Sequence, residues 1–205
     1  MLTKFRISAL ITCIFLIEIG IYFWAAWFTE DQEFIFAKCA RNSGRLSAAL
    51  NLSILIMVAY YGLVKIYKSH VKKDIFRILI TLFAINHSIH FFYIYQNFQI
   101  TDKVLAISEN LHGFITFIFI LLIPVIVWTI KNLNKALYFT LILHIINTTY
   151  FAIDTFYSKV IHDPKPANLH RIGIVIMSIL VLVIIYRGFR ERFTDFNRLE
   201  ENATN

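Results

Sequence analysis

Apolar runs long enough to cross a bilayer recur six times along the chain, separated by short polar or basic segments. A bilayer's hydrocarbon core is about 30 Å thick, so roughly 20 apolar residues in a helix span it. Six stretches come near that length: 7–28, 46–64, 75–95, 114–130, 136–157 and 169–186. The pattern predicts an all-α fold: a polytopic membrane protein, built as a six-helix transmembrane bundle over residues 1–193. The polar stretch 194–205 reads as a disordered cytoplasmic tail. Lys4 and Arg6 give the first run the look of a signal peptide, but its length and the presence of Glu18 predict a retained helix.

Composition points the same way, with 58% hydrophobic residues, 16% charged residues and a mean hydropathy of +0.64. Such a chain leaves no room for a separate soluble catalytic domain. The net charge of +7 would elsewhere raise the question of nucleic acid. Here the basic residues cluster at the ends of apolar runs, where they set orientation, so the expected partner is the lipid bilayer and not nucleic acid. Of the 20 Lys and Arg residues, thirteen fall on the side carrying both termini and seven on the other. Both termini are therefore expected on the cytoplasmic side. Cys13 lies inside an apolar run and Cys39 in a predicted loop, so no disulfide is expected between them.

Polar residues within the runs carry the candidate chemistry. Asn86, His87 and His90 fall within one turn of the third run, and the two histidines share a face. In the fifth run His144, Asn147, Phe151 and Asp154 follow helical spacing, with Thr148 beside them. Ser47 and Asn51 share a face of the second run, and Glu18 stands alone in the first. Ionisable residues at membrane depth are costly and mark functional sites by default. From its predicted helix start, His87 lies roughly 18 Å into the membrane, His90 about 22 Å and His144 roughly 14 Å, at about 1.5 Å per residue. His87 and His144 match best in depth, and two imidazoles from neighbouring helices can supply both axial ligands of a haem iron. Interhelical hydrogen bonding and packing are the alternative use of such residues. His112 and His170, near the outer ends of the fourth and sixth runs, are candidates for an outer site or plain interfacial residues.

Several segments together resemble a known family. Lys73 to His87 is similar to the third helix of the ferric-reductase-like transmembrane domain, with Phe83, Ala84 and His87 matching its aromatic-Ala-x-x-His ending. Ser43-Gly44-Arg45-Leu46 before an apolar run resembles the family's Thr-Gly-Arg-Trp entry. The run around Pro124 and the segments beginning at Leu133 and Leu143 resemble its fourth and fifth helices. Within the family, the likeness is greatest to the haem-binding membrane subunits of bacterial methionine sulfoxide reductase systems. It covers the second to fifth runs. The chain departs from the pattern where the family has its first fifth-helix histidine, since Asn134 stands there, and His144 falls one turn before the second expected position, near Asn147.

The resemblance implies a haem b electron-transfer protein of the bacterial inner membrane, a possible oxidoreductase subunit, with one haem rather than two. His87 and His144 are the expected metal ligands and His90 the alternate, with Asn86, Asn147 and Thr148 around the cofactor. Arg45, Lys72 and Lys73 are candidates for its propionates. No Gly-rich dinucleotide fingerprint follows a strand, so electrons would come from quinol or a flavoprotein and pass to a redox partner protein or an external acceptor. Two other classes stay open. A small proton-coupled transporter would use Glu18, Asp154 and the histidines as a relay. A non-catalytic membrane accessory protein would use them only for packing. A membrane di-iron oxidase is disfavoured, because one His-x-x-His falls well short of its ligand set.

Overall fold

The structure is a computed structural model and describes residues 2–101, 110–162 and 168–194. The tail expected at 194–205 lies beyond the described residues after Thr194. The described residues form seven helices and no strand: α1 Leu2–Trp27, α2 Gln32–Tyr61, α3 Leu63–Lys68, α4 His70–Ile100, α5 Leu111–Thr129, α6 Lys135–His162 and α7 Asn168–Thr194. All except α3 are long and apolar enough to cross a membrane, as in a multi-pass integral membrane protein.

The helices run longer than the apolar runs that predicted them. The main difference is α2, which begins at Gln32 rather than near Leu46 and takes in most of the predicted loop. Its first turns carry Lys38 and Arg41, yet Ile35, Phe36, Cys39 and Ala40 recur there at helical spacing. They pack with Ala25 of α1 and Tyr93 of α4. A hydropathy count dilutes such a stripe with charge, whereas burial of one face is enough to hold a helix.

Local signals set the other boundaries. Gly62 separates α2 from α3 with φ 76° and ψ 151°, a combination essentially restricted to glycine. Ser69 starts α4, accepting from Lys72 N at its hydroxyl (3.4 Å) and from Lys73 N at its carbonyl (2.9 Å). Asn134 caps α6, its Oδ1 accepting from Leu137 N at 2.8 Å. Asn134 thus has a structural task. Pro124 sits within α5, where it removes one backbone donor, a substitution membrane helices tolerate.

The described residues fall into two compact units, those within 1–51 and 78–125 and those within 52–77 and 126–194. In the first, Tyr93 donates from its hydroxyl to the Glu18 carbonyl at 3.0 Å, tying α4 to α1. Phe36 and Tyr93 rings meet 6.3 Å apart beside that bond.

In the second unit, Arg77 closes the end of α5, donating to the Ile130 carbonyl at 3.1 Å while its guanidinium lies 5.3 Å from the Trp128 ring centre. Lys73 donates to the Lys131 carbonyl at 3.4 Å. Two cations on terminal carbonyls satisfy groups that a helix end leaves open and oppose its negative dipole end. Tyr138 of α6 donates to the Gly188 carbonyl of α7 at 3.4 Å. Gly173 of α7 lies so close to Phe156 of α6 that an added Cβ would stand 2.6 Å from the ring, a small residue admitting a close helix approach.

Candidate functional site

Within the first unit, polar side chains from α1, α2 and α4 meet in otherwise apolar surroundings. The α2 contribution is a stripe at four-residue spacing, Ser43, Ser47 and Asn51, all buried. From α4 come Asn86, fully buried at 0% exposure, with His87 and His90 beside it. From α1 comes Glu18, at 2% exposure.

Ser47 is the junction. Asn86 Nδ2 donates to Ser47 Oγ at 2.7 Å and to the Ser43 carbonyl at 3.2 Å. The same Ser47 Oγ lies 3.3 Å from His87 Nδ1. When His87 carries its proton on Nδ1, it donates to Ser47 and presents the Nε2 lone pair away from α2. This is how a metal-binding histidine is usually held, with one ring nitrogen anchored so that the other is aimed. Phe83 and Phe117 flank the imidazole at 5.5 and 6.2 Å between ring centres. Phe117 in turn stacks on Phe91 at 4.5 Å.

His90 follows His87 by three residues, and their ring centres are 5.4 Å apart. His90 Nδ1 is buried without a hydrogen-bond partner, and the ring edge packs on Gly44, where an added Cβ would stand 2.9 Å from Cε1. Gly44 therefore makes room for His90.

The remaining predicted site residues lie in the second unit. His144 of α6 is 3% exposed, and its Nδ1 is buried with no partner. Such an orphaned nitrogen in an apolar helix is the kind of atom a metal would satisfy. Asn147 is half-buried one turn on, and Asp154 is exposed. The Thr148 hydroxyl donates back to the His144 carbonyl at 2.8 Å, which leaves its acceptor lone pairs. The two predicted metal ligands thus belong to different units, His87 to the first and His144 to the second.

Other candidates have local partners. Arg45 donates to Asn42 Oδ1 at 3.2 Å, and Lys72 lies over the Tyr61 ring at 4.1 Å. His112 and His170 belong to different units, and His170 packs edge-on against Phe156 at 5.1 Å. Cys13 and Cys39 are both free thiols. Among the described residues, no group of three or more His, Cys, Asp or Glu could hold a metal ion. A haem held by two axial histidines needs no such group.

One contact was not anticipated from sequence. Ser43 Oγ donates to Glu18 Oε1 at 2.7 Å. Ser43 lies one turn before Ser47, so extending the Ser47–Asn51 stripe back by four residues would have found it. Comparison with protein-family models, with curated proteins and with solved structures finds no match for this chain.

Proposed function

We propose that this protein binds one haem b in a bacterial inner membrane and passes electrons from quinol or a flavoprotein to a redox partner or an external acceptor. The ferric-reductase-like resemblance supplies that expectation. The observation that carries it furthest is the anchoring of His87 Nδ1 by Ser47, which leaves Nε2 available as a ligand atom. The unpartnered Nδ1 of buried His144 fits the same reading. His87 would be a ligand to the iron through Nε2.

Bound by imidazole, haem would supply a one-electron carrier for electron transfer. The chain's own residues orient and insulate. Ser47 fixes the His87 ring and its tautomer, and Asn86 fixes Ser47. Phe83 and Phe117 set apolar rings beside the imidazole.

An optical spectrum of the detergent-purified protein, oxidised and then reduced with dithionite, tests this directly. Sharp α and β bands in the reduced wild type, lost in both His87→Ala and His144→Ala, are the expected result. A colourless protein after expression with ample haem would sink the proposal. Loss of the bands in only one of the two variants would reject the other histidine as a ligand.

A further inference from the structure

Glu18 stands near the middle of its membrane span. It lies eleven residues into the Ile7–Trp27 span, about 17 Å at about 1.5 Å per residue. Its side chain is 2% exposed even without lipid around it. One carboxyl oxygen, Oε1, accepts from Ser43 Oγ at 2.7 Å, and the other, Oε2, is buried with no partner. Among the described residues no cationic side chain acts on it. The titratable groups facing it are the Cys39 thiol of α2 and the Tyr93 phenol of α4, neither of which supplies positive charge. The Tyr93 hydroxyl is occupied by the Glu18 backbone carbonyl and leaves the carboxyl alone.

A packing role does not account for this arrangement. A glutamine in the same place would accept from Ser43 equally well and carry no risk of a buried charge. An acid at this depth, held by one neutral donor and lacking a counter-ion, is costly to ionise and is retained where ionisation is used. We propose that Glu18 is an intramembrane proton-exchange site, its ligand a proton that Oε2 takes from hydronium and returns to water while Ser43 holds Oε1. The site is separate from the haem proposal. Ser43 also accepts from Asn86 through its carbonyl, but neither a backbone carbonyl nor an amide N–H hands a proton onward. The link from Glu18 toward His87 therefore transmits position, and no proton path runs along it.

The test is reaction of the full-length protein in liposomes with dicyclohexylcarbodiimide, an apolar reagent that adds to protonated carboxyls within membranes. Peptide mass mapping locates the adduct. The expected result is modification at Glu18, with a rate that falls about tenfold for each pH unit above its midpoint, as the fraction of protonated acid falls. Glu18→Gln should lose the adduct completely while keeping its melting temperature within a few degrees, and Ser43→Ala should keep the adduct but move the midpoint. A rate at Glu18 that does not change with pH, or no adduct under any condition, would overturn the proposal. Protection by sodium at fixed pH would overturn the proton as the ligand and assign the site to a metal cation. Haem content has no bearing on any of these outcomes.

Discussion

Ser47 Oγ on α2 stands 3.3 Å from His87 Nδ1 on α4, and the same oxygen accepts the Asn86 amide at 2.7 Å. One hydroxyl thus fixes two consecutive residues of a neighbouring membrane helix. Without it Asn86 Nδ2 retains only the Ser43 carbonyl, and His87 loses its anchor.

Ser47→Ala should therefore destabilise the protein modestly and loosen haem more severely. Interhelical hydrogen bonds in membranes contribute about 0.6 kcal/mol on average, so a loss of about 1 kcal/mol is expected for the two contacts. Loss of the group that orients a metal-binding histidine typically weakens affinity by roughly 10- to 100-fold. Thermal unfolding in detergent measures the first effect and haem titration of the apoprotein the second. Equal haem affinity in wild type and variant would mean that Ser47 serves packing alone.

Gly44→Ala should push the His90 ring aside. The new Cβ would stand 2.9 Å from Cε1, closer than van der Waals contact allows. Overpacking of this kind costs about 1 kcal/mol at the low end, because the ring edge can swing. The cost should vanish when His90 is also alanine, and a double-mutant cycle read by thermal unfolding gives that coupling. Additive effects would show that the contact carries no energy.

Gly62→Ala should be more harmful than Gly20→Ala. Gly62 combines φ 76° with a close approach of the Glu191 carboxylate, whereas a Cβ on Gly20 meets nothing within 4 Å. The backbone conformation alone accounts for about 1–3 kcal/mol. In α1 the same change favours the helix by up to about 1 kcal/mol. Melting temperatures of the two variants should consequently move in opposite directions.

Tyr67 gives the protein an alkaline limit. It lies in α3, outside the membrane spans, and burial pushes its phenol up to about 12, with the Arg77 guanidinium opposing that rise. The folded state therefore holds this proton more tightly than the unfolded chain, whose tyrosines titrate near 10. The resulting stability is fully present below about pH 10 and is lost as pH rises through about 12. Tyr67→Phe should flatten the fall in melting temperature across that window. Any cost at neutral pH would measure the loss of the hydroxyl's interaction with the Arg77 guanidinium.

The number of spanning helices and the identity of the buried ionisable groups were legible in the chain because they depend on local sums. About twenty consecutive apolar residues make a spanning helix whatever its neighbours do. A glutamate or histidine inside such a run is visible without knowing what it touches. Helix ends were less legible where burial on one face outweighs charge on the other, as in α2 between Gln32 and Arg45. Asn134 reads in sequence only as a missing histidine, and the folded chain shows it capping α6.

What the sequence by itself determined is therefore the six apolar spans and the polar residues seated in them. Only the tertiary structure decided the partners of those residues. Glu18 and Ser43 are 25 residues apart, and Ser47 and His87 are 40 apart. The same fold parted His87 and His144 into separate units and turned Thr148 back onto its own helix. Periodicity fixes the face of a helix on which a side chain lies. The neighbour that face meets, and at what height, is set by packing among helices distant in sequence, which no local pattern encodes.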